Sequence, residues 1–163
     1  MMIPADSHAA SPQELVDLLD KELNTLVYVM EMLDVEHDAL IGSDAERLEQ
    51  AVAAKQNAIN AHLKARHRRE AIGLKDALRE QIEAHPTLVN GLKAKAIEIV
   101  HDLEKLALKS KELNTRNGRL ISGLQDRTTS AIRVLRPEAA NITLYGDSGS
   151  AENTMGSRLL GSA

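Results

Sequence analysis

The sequence contains no cysteine, no tryptophan and no phenylalanine, and only two tyrosines among its 163 residues. Without thiols it has no disulfide scaffold, no thiolate metal site and no cysteine nucleophile. Sheet cores lean on aromatic and β-branched residues, and platforms for single-stranded nucleic acid need exposed rings. An aromatic content of 1% speaks against both. Nor is there an excess of positive charge: the formal net charge is −4, which argues against a dedicated binder of nucleic acid or of anionic membranes. No run approaches the roughly 18 uninterrupted apolar residues that span a bilayer. Residues Met1 to His8 carry neither the basic stretch nor the apolar core of a secretion signal, so a cytoplasmic location is expected. What the chain does have is a 43% apolar content rich in leucine and alanine, beside 27% charged residues. That balance suits a soluble, helical, domain-sized protein and leaves little room for most enzyme classes.

The first helix starts at Ser11-Pro12-Gln13-Glu14, where serine caps, proline suits the first turn and Glu14 closes a capping box. Leu19, Leu26, Leu33 and Leu40 then recur every seven residues, partnered by Leu15, Leu23, Met30 and His37, as in a helix packed along its length. Gly42 suits the helix end and Asp44 the next N-cap. The second helix is predicted over 44–72 with Leu48, Val52, Ile59 and Leu63 inward. The short turn makes the pair an antiparallel hairpin with Leu26 opposite the neighbourhood of Ile59. Lys55 falls on this inward stripe, an odd place for a charge. A pairing with Glu36 across the hairpin is open. Gly73 breaks the pattern, a weaker helix follows over 74–84, and His85-Pro86 marks a boundary.

The clearest heptad runs from Pro86 to Arg136. It passes through Leu92, Ala96, Ile99, Leu103, Leu106, Ser110, Leu113, Asn117, Leu120, Leu124, Arg127, Ala131 and Val134. The expected fold is all-α: an elongated antiparallel helical bundle of a long hairpin, a long C-terminal helix and one short helix. After Pro137 the composition turns to Gly, Ser, Asn and Asp. A helical bundle over 1–137 and a flexible partner-binding tail over 138–163 are therefore expected.

Few constellations carry chemistry. Gly146-Asp147-Ser148-Gly149 has the letters of a serine-protease nucleophile loop, yet a helical rod offers no scaffold for a triad, and a β-turn is the better reading. His62 and His67 are five apart and diverge by about 140° around a helix, so no metal pair is read there. Lys64, Arg66, His67, Arg68 and Arg69 read as a solvated face rather than a nucleic-acid patch. Asn117 sits on the apolar stripe with Asn114 beside it. Either a buried asparagine fixes register, or this stretch forms part of a partner groove. On the register reading, Asn117→Leu keeps or raises stability while admitting other packings.

Two segments resemble the bacterial FlgN family of flagellar export chaperones. One is Leu113-Asn114-Thr115-Arg116-Asn117-Gly118-Arg119-Leu120-Ile121, followed by Val134-Leu135-Arg136-Pro137. The other is Ile142-Thr143-Leu144-Tyr145-Gly146-Asp147-Ser148-Gly149, similar to that family's Thr-Leu-Tyr-Gly-x-x-Gly tail. Glu36-His37, Leu48, Lys55 and Arg68-Arg69 resemble its hairpin more loosely.

The resemblance implies a cytoplasmic carrier without enzyme activity or cofactor. It would bind the hook-associated (hook-filament junction) proteins, prevent premature assembly and deliver them to the flagellar type III export gate, with export ATPase components as further partners. Nucleic acid and small-molecule substrates are not expected. Cargo contacts are expected at Asn114, Asn117, Leu120, Ile121 and Leu124 of the long helix and at Met155, Leu159 and Leu160 of the tail. Docking to the gate membrane protein is expected at Leu144 and Tyr145. The competing reading is a structural or regulatory coiled-coil protein with a disordered tail.

Overall fold

The computed structural model describes residues 10–75 and 77–136. The chain divides into two units, Met1–Gln125 and Asp126–Ala163. Among the described residues the elements are α1 (Pro12–Gly42), α2 (Ala45–Ala71), α3 (Leu78–Glu83) and α4 (Asn90–Leu135), with no strand. The protein is an all-α helical bundle. The tail expected over 138–163 lies outside the described residues.

The caps form where the residue types call for them. Ser11 Oγ accepts from the Glu14 backbone N–H at 3.2 Å, while the Glu14 carboxylate accepts from the Ser11 N–H at 2.7 Å. Asp44 Oδ1 accepts from the Arg47 N–H at 3.0 Å and opens α2. One detail differs from expectation: Gly42 is the last helical residue, and Ser43 takes the left-handed conformation with φ of 52°. Serine is tolerated there because its N–H returns to the carbonyls of Ala39 and Leu40, satisfying the helix end. Asp44→Ala is expected to lower stability by about 1 kcal/mol, measured by urea unfolding, because one N–H of the first turn loses its acceptor.

The α1 seam is continuous. Leu15, Leu19, Glu22, Leu26, Val29, Leu33, Glu36 and Leu40 are all buried, alternating by four and three residues. The α2 seam is not the predicted one. Ala51, Ala58 and Ala65 are buried and seven apart, whereas Val52 and Leu63 are exposed and Leu48 and Ile59 half-buried. Lys55, His62 and Arg69 stand between and beyond the alanines, and each reaches α1. Lys55 pairs with Glu36, His62 with Thr25 at 3.2 Å, and Arg69 with Glu22. The alanines let the helices approach, and the long polar chains span the seam. These pairs prove the antiparallel hairpin and shift its register: the counterpart of Leu26 lies near His62 and Ala65, about one turn beyond Ile59. Ile59 packs instead on the cluster of Val29 and Leu33.

In the first unit, α4 runs parallel to α1 and antiparallel to α2. Ala96, Ile99, Val100 and Leu103 join Leu15, Val16, Leu19 and Leu26 in one core cluster, while Leu113 joins Val29, Leu33 and Ala58 in a second. The connection from α2 to α4 plugs the first cluster with Leu74, Ile82 and Leu88, all buried. This explains why α4 starts four residues later than Pro86: Leu88 is taken into the core before the helix begins. Arg79 on α3 bonds Glu104 on α4 at 2.9 Å, and that carboxylate pushes the guanidinium pKa further up. In the second unit, residues 126–136 are all exposed, so Arg127, Ala131 and Val134 are heptad positions without a buried side chain.

Candidate partner-binding groove

The site is built around Asn117, 1% exposed and on the seam of α4. Its Nδ2 donates to the Leu33 carbonyl at 2.7 Å and to Glu36 Oε2 at 3.0 Å. With the amide so oriented, Oδ1 is the acceptor. It accepts from Arg116 Nε at 3.3 Å and from His37 Nδ1 at 3.1 Å, which fixes the His37 proton on Nδ1. Glu36 is buried and takes its second partner from α2, where Lys55 Nζ donates to Oε1 at 2.5 Å. Arg116 Nη2 reaches Asp34 at 3.1 Å. Three helices thus meet in one polar network, and among the described residues no buried side-chain nitrogen or oxygen lacks a partner. A half-satisfied network here would loosen the core; a complete one pins α4 against the hairpin.

The outer side of this network is a groove of about 700 Å³. His37 and Arg116 belong to both the network and the groove wall. Leu108 and Leu120 give it apolar surface, and Leu108 is 68% exposed. Lys111, Glu112, Thr115 and Arg119 complete the lining. The arrangement holds no nucleophile–base pair and no cluster of acids. It offers greasy contact, cations and a helical edge, which is the equipment of a surface that binds another chain.

The expected site residues divide by placement. Leu120 lines the groove; Ile121 and Leu124 lie close by in sequence and are half-buried; Asn114 is exposed. Asn117 faces inward and supports the groove from behind, so its placement is that of the register-fixing asparagine. Leu144, Tyr145, Met155, Leu159 and Leu160 lie outside the described residues. Sequence reasoning missed Leu108, Lys111 and Arg119 as a common face, and took His37 as a seam partner without seeing its bond to Asn117. The signal for Asn117 and Glu36 was there: a polar residue on each of two apolar seams.

Residues 2–153 match the family model described as FlgN protein. The chain belongs to the FlgN family. FlgN proteins are flagellar export chaperones, and theirs is not a family of enzymes. The matched span takes in the groove and the Thr143-Leu144-Tyr145-Gly146 motif, while Met155, Leu159 and Leu160 lie beyond it. No curated protein and no solved structure matches this FlgN chain. Among the described residues, no helix is long and apolar enough to cross a membrane.

Proposed function

We propose that this FlgN protein works in the cytoplasm as a carrier of the hook-associated proteins, keeping them from assembling early and bringing them to the flagellar export gate. Family membership supports the carrier role. The observation that carries the reading further is the groove on α4, whose lining includes Leu120 within the stretch that resembles the family's cargo-binding part. Apolar helical termini are awkward for an exported subunit to expose, and an apolar groove on a helical bundle hides them without ATP or a cofactor. The cargo face comprises Leu120, Ile121 and Leu124 with exposed Asn114, and Asn117 holds it in register. Met155, Leu159 and Leu160 add a second grip. Leu144 and Tyr145 contact the gate membrane protein, and export ATPase components are further partners. In this scheme residues 1–137 are the folded carrier and 138–163 the segment that partners engage.

The test separates the two jobs. Deleting residues 138–163 is expected to leave the melting temperature almost unchanged and to reduce capture of purified hook-associated proteins. Tyr145→Ala is expected to spare that capture and to weaken binding to the gate protein's cytoplasmic part. Undiminished capture by the truncated chain would place the whole grip on α4; absence of capture by the intact chain would overturn the carrier reading.

A further inference from the structure

We propose that the α4 groove is selective for an amphipathic helix that carries carboxylates about two turns apart beside a leucine face. The proposal rests on the carrier reading only in taking the occupant to be a segment of a partner protein.

The chain as a whole is acidic, with a net charge of −4, yet the groove runs the other way. Lys111 and Arg119 both line it, both are exposed, and among the described residues neither side chain has a carboxylate within ion-pair reach. Arg116 differs, since Asp34 holds it at 3.1 Å. Glu112 is the one carboxylate among the lining residues, and Lys109 stands 3.6 Å from it. Among the described residues the groove therefore presents two cations outside any ion pair, eight residues apart on one helix, about 12 Å along its axis. His37 closes the far wall with its Nδ1 proton committed to Asn117.

Glu112, Thr115 and Arg116 lie between these cations, and a leucine stands beyond each cation. Leu108 is 68% exposed on a helix whose leucines at 103 and 113 are buried, and Leu120 contributes from the far end. The aliphatic stems of Lys111 and Arg119 extend that surface while their charged ends stay in water. A partner that fills such a groove buries leucines and sets an acid against each cation. On a partner helix, acids seven or eight residues apart fall on one face at a matching rise of about 10–12 Å. Nucleic acid fits poorly, because two cations without an exposed aromatic side chain beside them give neither the phosphate neutralisation nor the stacking it requires.

Two synthetic helical peptides test this on the full chain. Both have a leucine face; one carries glutamates seven residues apart, and its twin carries lysines there. The glutamate peptide is expected to bind at least about tenfold more tightly, the factor for two exposed pairs passing from attraction to repulsion. Its affinity is expected to fall as salt rises. In a chain with Lys111→Glu and Arg119→Glu, both at exposed positions, the preference is expected to invert while the circular dichroism melting curve stays in place. Leu108→Ser is expected to weaken both peptides alike. Equal binding of the twins, an unchanged preference in the double variant, or equally tight binding of an RNA oligonucleotide would overturn the proposal. Capture of hook-associated proteins, measured in parallel, keeps the two readings apart. Capture without peptide preference removes this inference alone, and peptide preference without capture removes the carrier reading alone.

Discussion

Arg69→Met is expected to destabilise the protein by about 3–5 kcal/mol, the largest effect of any single substitution considered, read from urea unfolding. The Arg69 guanidinium is buried against Glu22, with Nε donating to Oε2 at 2.5 Å and Nη2 to Oε1 at 3.2 Å. Its Nη1 donates to the carbonyls of Leu74 and Lys75, the latter at 3.3 Å. One side chain therefore ties α1 to α2 and both to the segment that leads on to α3. Methionine matches the aliphatic stem but leaves the Glu22 carboxylate, itself buried, with no counter-charge. The uncompensated charge, more than the lost hydrogen bonds, sets the size of the effect. The double variant Glu22→Leu with Arg69→Met is accordingly expected to recover most of the loss. A remainder of about 1–3 kcal/mol reflects the unmet Leu74 carbonyl. If the double variant were as unstable as Arg69→Met alone, packing around the arginine stem rather than the stranded carboxylate would be the cause.

The helices were legible because their ends are chemically marked and their seams are leucine-rich. Ser11, Pro12 and Asp44 start α1 and α2 where expected, and the α1 leucines at 19, 26, 33 and 40 are all buried. On α2 the large apolar residues mark a different stripe from the buried one. Val52 and Leu63 are at the surface, and a seam of Ala51, Ala58 and Ala65 alternating with Lys55, His62 and Arg69 carries almost no hydrophobic signal. Such a seam becomes intelligible only against its partner, where acids at 22 and 36 interrupt the leucines. The late start of α4 was hidden for a similar reason: Leu88 belongs to the core through tertiary packing, not through helical periodicity. Of the candidate site, the region of α4 was readable and its face was not. Leu108, Lys111 and Arg119 share one face of α4 by helical spacing alone, but that face becomes a groove only where α1 supplies His37 as its wall, and the apolar letters at 121 and 124 point elsewhere.

Asn117→Leu is the second large effect expected, and its sign is opposite to what a register-fixing asparagine alone implies. In a simple coiled-coil seam, leucine in place of asparagine raises stability and relaxes the choice of packing. Here Asn117 Nδ2 is also the second partner of buried Glu36, whose other oxygen is held by Lys55. Leucine strands one carboxylate oxygen and removes the acceptor shared by His37 and Arg116. A loss of about 1–3 kcal/mol in urea unfolding is therefore expected, the cost of leaving one buried polar group unmet. The ambiguity of packing predicted by the register argument belongs instead to a triple variant, Lys55→Met with Glu36→Leu and Asn117→Leu. Removing the whole network substitutes apolar contact for a buried ion pair and its asparagine, so stability is expected to return to the parent's level or above. What the triple variant lacks is any penalty for sliding α4 along the hairpin. Doubled amide resonances from residues near 113–120 are the expected sign. A single set of sharp resonances from the triple variant would show that the leucine seam alone fixes the register. In that case the polar network contributes stability to the bundle, and the placement of the groove follows from packing.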